Sequence, residues 1–304
     1  MMKPLLGLTA AFLGASGLST PAAAREALCD RTCLESIGAQ YRTAYLAHDP
    51  KRAPFDSKVR FSENNVMMSF PDGTWDTVTQ ELGEPLYLSD PKTGSVGIYT
   101  AILQNDTPGF LAIRLKVENR KITEIEHIIS TKRNLSAPPT PFGDPTVFRH
   151  DPDLDRAVSK QECGSREQMR QLANGYFSTL ENNNGEIRGT RFSPDAKRFE
   201  NGMEFPEIEK GFKLGRYRFN ERVRDRDFFL IDEHRCIVMA RAFIDHKGVL
   251  DKYILTDGKP AKSIFREPHS WSLLEMFKIK NGMITGVEAV FTGAPYYIRS
   301  PWSQ

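Results

Sequence analysis

The chain has 304 residues, with 41 Lys and Arg against 39 Asp and Glu, a formal charge of +2. That near-neutral balance leaves no electrostatic footprint for nucleic acid or an anionic membrane surface, so neither is expected as a partner. The length suits two domains of ordinary size.

Residues 1–24, MMKPLLGLTAAFLGASGLSTPAAA, join one early Lys, an apolar stretch and a small-residue end. This is the pattern of a secretory signal peptide, with cleavage expected after Ala24. The stretch is shorter than the roughly 20 apolar residues of a membrane span. Cys29 follows Glu-Ala-Leu, a poor context for lipid attachment. An exported protein, periplasmic or secreted, is therefore expected. Cys29, Cys33, Cys163 and Cys236 all follow this leader, and an oxidising compartment favours disulfides. Their spacing matches no zinc pattern, so no metal is expected. Three connectivities are open, and at least one intramolecular bridge is expected.

Residues 25–133 read as a first domain. CLESIGAQYRTAYLAH sets Leu34, Ile37, Tyr41 and Tyr45 at helical spacing, then comes RFSENN with Glu63 and Asn64, and VENRKITEIE (117–126) reads as a hairpin. Residues 134–162 form a linker; five prolines at 138, 139, 141, 145 and 152 predict a stiff, extended spacer outside either core. Residues 163–304 repeat the pattern. SREQMRQLANGYFSTLEN carries Met169, Leu172, Tyr176 and Leu180, KRFENG carries Arg198, Glu200 and Asn201, and IKNGMITGVE (279–288) aligns without a gap to the first hairpin at an offset of 162. Glu63 to Glu200 is an offset of 137, so the second unit is 25 residues longer between these two points.

Helices followed by long strands predict α+β: two tandem cone-shaped domains, each a curved antiparallel sheet packed against N-terminal helices around a cavity. The motifs CDRTCLES, RFSENN, DGTW, IRLKVENRKITEIE, RFENG, FIDHKG, LLEMFKIKNGMITGVEAV and APYYIRSPW, in that order, resemble the tandem SnoaL-like proteins of the nuclear-transport-factor-2-like superfamily, and in particular a poorly characterised exported group. The resemblance spans nearly the whole chain after the leader. It implies a cavity used for cofactor-free cyclisation, isomerisation, dehydration or carbon–carbon cleavage, although other members only bind or assemble. It also implies pairing of exposed sheet faces, within a tandem chain or in a homodimer. Ala196 stands where the group usually has Cys, and Tyr297 and Pro301 replace its terminal glycines.

The residues themselves offer several candidate sites. Pairing Ile279 with Ile284 across the last turn puts Glu275 directly opposite Glu288, and two facing carboxylates push one pKa up, making a donor and an acceptor. Alternatively both point to water or flank an Arg. The same register in the first copy pairs Glu126 with Ile113 and sets Arg114 beside His127, on the face opposite Glu126. Arg198 and Glu200 share a strand face; Glu200 is a candidate acid–base group and Arg198 and Asn201 candidate substrate-binding residues that would stabilise an oxyanion, or else the stretch is a salt bridge and a turn. Glu63 and Asn64 carry the same two readings. His246 in FIDHKG is a candidate base or a solvated loop residue. Tyr296 and Trp302 suit an aromatic ligand or serve as packing. Arg224, Asp225, Arg226 and Asp227 read as a charged strand edge. The chain lacks a phosphate loop, a GxSxG elbow and HExxH, so no cofactor is expected. The expected function is a cofactor-independent acid–base enzyme (lyase, dehydratase, isomerase or cyclase) on a small apolar or aromatic molecule in the second cavity. The alternative is an exported ligand-binding or interaction protein.

Overall fold

A computed structural model describes residues 29–132 and 141–303. Asp30 accepts a hydrogen bond from the Cys33 amide at 2.9 Å and caps α1 (Arg31–Leu46), whose Leu34, Ile37, Tyr41 and Tyr45 form one buried stripe. Six strands follow: β1 (Phe55–Glu63), β2 (Val66–Met68), β3 (Val78–Asp90), β4 (Ser95–Gln104), β5 (Thr107–Glu118) and β6 (Lys121–Thr131). They form one sheet in the order β2-β1-β6-β5-β4-β3, antiparallel except where β1 lies parallel to β6. Short helices α2 (Pro152–Asp155) and α3 (Lys160–Cys163) lead to α4 (Arg166–Leu180), which opens on a capping box between Ser165 and Gln168. Then come β7 (Phe192–Glu200), β8 (Met203–Glu204), α5 (Ile208–Lys213), β9 (Arg222–Asp232), β10 (Ile237–His246), the small hairpin β11 (Lys252–Ile254) and β12 (Pro260–Lys262), β13 (His269–Lys280) and β14 (Met283–Ala294). The second sheet runs β8-β7-β14-β13-β10-β9, with β7 parallel to β14. The chain is thus α+β, two tandem units of one topology. The expected charged edge is β9, at the end of its sheet.

The repeat extends to its irregularities. Each last hairpin turns on two residues of positive φ, Asn119-Arg120 and Asn281-Gly282, the geometry that a two-residue hairpin loop requires. Each then carries a bulge at the same place: Val117 pairs with Ile122 but Lys116 with Glu124, and Ile279 pairs with Ile284 but Lys278 with Gly286. Thr123 and Thr285 are the extra residues. The bulge slips every later pair by one, and with period-two side chains a one-residue slip exchanges faces. Glu275 therefore pairs with Ala289, while Glu288 pairs with Met276. The expected Glu275–Glu288 pair does not form, and the two carboxylates lie on opposite faces. The same slip corrects the first copy, where Arg114 pairs with Glu126, and Ile113 with His127.

Each helix covers the inner face of its own sheet, giving two separate cores. The outer faces meet each other: Leu88, Tyr99 and Ala112 of the first sheet share a third apolar cluster with Met239, Leu274 and Met276 of the second. Gly97 makes room for this approach, since a Cβ there would lie 2.4 Å from the Met239 sulfur. The contact is pseudo-symmetric. Asn65 Oδ1 accepts from Ser272 at 3.1 Å, and at the related position Gly202 (φ 71°) lies under the Phe110 ring. Sheet pairing therefore occurs within the chain.

The linker differs from the expected spacer. Pro138 and Pro139 lie outside the described residues, as does the signal peptide, but several side chains of residues 141–162 pack against the sheets. Leu154 is buried in the cluster between the sheets, with Phe142 and Phe148 against it. Apolar side chains at 142, 148 and 154 outweigh the stiffness of the prolines. Cys29–Cys33 and Cys163–Cys236 are disulfides. The second ties α3 to the turn between β9 and β10, and closing a loop of 73 residues stabilises by about 4 kcal/mol in the chain-entropy account.

Candidate functional site

The second cone encloses a cavity of about 140 Å³, lined by α4, the end of the α5–β9 connection, and the inner faces of β13 and β14. Trp271, Leu273 and Glu275 alternate along β13 and all face it, as do Ala289 and Phe291 on β14. Three strands meet in one row on its floor: Ala289 pairs with Glu275 on one side and with Glu200 on the other. Two strand spacings separate the carboxylate-bearing Cα atoms by roughly 9–10 Å. The methyl of Ala289 leaves the space between them open.

The two carboxyls are held differently. Glu275 is almost wholly buried, and burial together with the charge of Glu200 pushes its pKa well above the ordinary range, against a smaller pull from Arg198 and the Tyr176 hydroxyl. Burial also raises Glu200, which Arg198 partly offsets. The Glu200 side chain keeps 20% of its exposure, so it is reachable from the cavity mouth. Arg198 is 1% exposed and does not line the cavity. Its Nε faces Glu200 at 3.5 Å, Nη1 lies 3.5 Å from the Tyr176 hydroxyl, Nη2 donates to Tyr217, and its plane lies over Phe205 and Tyr217 at 4.9 Å. Arg198 thus anchors the wall behind Glu200, where the sequence suggested an oxyanion ligand.

Other sequence candidates lie elsewhere. Asn201 is buried; its amide donates to the carbonyls of Phe291 at 3.0 Å and Pro141 at 3.2 Å, and its oxygen accepts from the Phe291 amide at 3.0 Å. Asn64 accepts likewise from Ile129 at 2.8 Å. Both have φ near 45°, which Asn tolerates, so this Asn clamps the last strand in each copy and is no oxyanion donor. His246 is not a loop residue. It ends β10 inside an aromatic cluster, 3.9 Å from the Phe265 ring and 4.6 Å from His269, with Nε2 on Asn220 Oδ1 at 2.8 Å. Burial and the neighbouring His269 push its pKa down to about 2, which leaves it a neutral wall residue. Tyr296 accepts from Arg222 at 2.9 Å outside the cavity. Trp302 donates to Ser62 at 2.8 Å and stacks on Arg60 and Arg114, packing the tail onto the first domain.

Glu288 faces the interface between the sheets. His150 Nδ1 lies 2.8 Å from its carboxylate, and His150 Nε2 lies 3.2 Å from the Tyr99 carbonyl. Both ring nitrogens meet acceptors, which the doubly protonated ring satisfies. Burial opposes that charge, but Glu288 outweighs it and raises the His150 pKa. The related Glu126 accepts from Arg114 Nε at 2.8 Å and from Arg241 Nη1 at 2.9 Å.

The first cone holds the same row with different residues. Glu63 pairs with His127, and His127 with Ile113. The imidazole occupies the place of the Ala289 methyl: Nε2 lies 2.7 Å from the Tyr41 hydroxyl, and Nδ1 3.7 Å from Glu63. Trp75, 1% exposed, fills the remaining space and donates to Tyr41 at 3.1 Å. Burial would raise Glu63, but the neighbouring His127 and hydrogen bonds from Thr74 hold it below the usual carboxylate range.

Sequence reasoning missed Tyr217, Asn220 and Trp271 as cavity residues and took Tyr176 only as helix core. The period-two pattern from Glu275 back to Trp271 was an available signal. Tyr217 and Asn220 sit in irregular chain between α5 and β9, where no periodicity exists to read.

Residues 162–291, nearly the whole second unit, match the profile of a domain of unknown function (DUF8021). No curated protein matches the chain. Among solved structures, a de novo designed protein with a curved β-sheet is similar at 18% identity and a TM-score of 0.28, over 42% of this chain and 87% of the design. AclR of Streptomyces galilaeus, a proposed hydroxylase, is similar at 16% identity and a TM-score of 0.24, over 42% of this chain and 81% of its own. No helix among the described residues is long and apolar enough to cross a membrane.

Proposed function

We propose that the second domain catalyses proton transfer on a small molecule bound above Ala289, with Glu275 as acid and Glu200 as base. The observation that carries this is the row Glu200–Ala289–Glu275: a buried carboxyl and a partly exposed one flank an open apolar space. The environment differentiates them. Glu275, buried beside another carboxylate, keeps its proton, while Arg198 behind Glu200 favours the anion there. With a carbonyl substrate, Glu200 takes a proton from the adjacent carbon as Glu275 gives its proton to the carbonyl oxygen, forming the enol. Glu200 giving its proton to another carbon while Glu275 takes back the enol O–H proton completes an isomerisation; Glu200 giving it instead to a departing β-substituent, with the O–H proton again returning to Glu275, completes an elimination. Neither needs an oxidant.

The resemblance of the motif order to tandem SnoaL-like proteins supports this reading, with the second unit as the one that carries the site. The leader and the two disulfides support export to an oxidising compartment. The test is exchange of carbon-bound hydrogen in D₂O, read by NMR over a panel of small carbonyl compounds. The proposal expects exchange that falls in Glu275→Gln and Glu200→Gln. A compound that binds in the cavity with no exchange under any condition would identify a ligand-binding protein instead.

A further inference from the structure

The same cavity restricts what can enter it. Its volume of about 140 Å³ is close to the ~150 Å³ of an apolar cavity that accepts benzene, so there is room for one ring and few substituents. Features specific to the second unit enforce this limit. Pro141, from the chain between the domains, lines one side and is held by the Asn201 amide. Ile264, from the long connection between β10 and β13, lines another and stands half-exposed at the rim.

Charge is restricted as well. Among the described residues that line the cavity none is cationic, and Arg198 behind the wall is already committed to Glu200, Tyr176 and Tyr217. A carboxylate or phosphate would lose its water with no counter-ion and would face Glu200. The polar groups ask for something else. Glu275 presents an O–H, and Asn220, whose oxygen is taken by His246, has its NH₂ left for a ligand. Glu200 offers an acceptor on the opposite side of Ala289. The walls are aromatic, with Tyr217, Phe219, Trp271 and Phe291 among them.

Resting on the acid–base reading, we infer that the substrate is a neutral, single-ring carbonyl compound, its oxygen toward Glu275 and Asn220 and its acidic C–H or O–H toward Glu200. A fused polycyclic molecule and an anionic ring acid are both excluded from the closed cavity.

The test uses the full-length protein and the indole N–H signal of Trp271 in ¹H–¹⁵N NMR, assigned with Trp271→Phe. Three probes are titrated: 2-cyclohexen-1-one, benzoate and 1-tetralone. The inference expects cyclohexenone to shift that signal and to bind about tenfold or more tighter than benzoate, since an unpaired buried charge is costly. The fused-ring tetralone is expected to bind only once Ile264→Ala has widened the rim. Benzoate or tetralone binding the unaltered protein as tightly as cyclohexenone would overturn the substrate class and leave the proton-transfer site standing. If no probe at millimolar concentration moves the Trp271 signal, the cavity is no ligand site and both readings fall.

Discussion

The two domains place a glutamate at the same point of the same strand, yet the environments drive Glu63 and Glu200 in opposite directions. Glu63 is held low by His127 and Thr74, and Glu200 is raised by burial. Three related positions account for this. The row reads Glu63, His127, Ile113 in one unit and Glu200, Ala289, Glu275 in the other. A His in the middle position fills the space and lies beside the lone carboxylate. An Ala opens the space, and a second Glu on the far side adds a charge the site cannot hold. Around this row the first unit adds Trp75, Tyr45 and Phe61, where the second has Leu180 and Arg198. One topology thus yields a solid aromatic core or a lined cavity, through a few side chains on an unchanged frame.

The largest expected effect is Glu275→Gln. It should lower carbon–hydrogen exchange by about 10²–10⁴-fold, as loss of a general acid does. Stability should move the other way. A carboxyl whose folded pKa is raised destabilises the fold as pH climbs from the unfolded value through the folded one, so the Gln variant should be at least as stable as the parent at pH 7 by urea unfolding. Equal activity in the variant would remove Glu275 from the chemistry.

Next in size is Trp75→Ala, which empties the solid core. It should cost about 3–5 kcal/mol by denaturant unfolding. A cost below about 1 kcal/mol would mean that the first core is not set by this ring. Asn64→Ala and Asn201→Ala should each cost about 1–3 kcal/mol through unpaired strand groups, by similar amounts in the two units. A large cost in one and none in the other would break the claim that the clamp belongs to the shared frame.

The smallest expected effect is on pH dependence at the interface. The folded pKa of His150 is raised, so its contribution is complete below the unfolded value of about 6.5 and is lost as pH rises through the folded pKa. His150→Gln should flatten that part of the stability profile. An unchanged slope between pH 6 and 8 would show that the Glu288–His150 contact is not charged.

Much of this frame was legible from residue patterns, because helix stripes and hairpin turns are local. Tyr41, Tyr176 and the 162-residue offset locate both units in the sequence itself. Register was the weak point. The inserted Thr123 and Thr285 leave no mark in hydrophobic alternation, yet they move Glu275 and Glu288 to opposite faces. Glu275 was singled out from the wrong pairing, with Glu288, and Glu200 from the KRFENG motif alone, so the row that joins them through Ala289 went unread. His246 and Asn201 were misplaced because burial and clamping arise from distant chain: Phe265, His269 and Phe291 close around them only after folding. The prolines between the domains likewise signalled stiffness and concealed Leu154, whose partners come from both sheets.

The most direct measurement is a carboxyl titration of protein labelled with ¹³C at the Glu side-chain carboxyl, followed by NMR from pH 3 to 9, with Glu63, Glu200 and Glu275 assigned from their Gln variants. This account predicts that Glu275 remains protonated well above the usual carboxylate range, that Glu200 titrates above it to a lesser degree, and that Glu63 titrates below it. In Ala289→His, which writes the first unit's middle residue into the second, Glu200 should move down toward the behaviour of Glu63. If all three instead titrate together near the ordinary glutamate value of about 4.3, the row does not divide the two domains, and the proposed site has no acid to give.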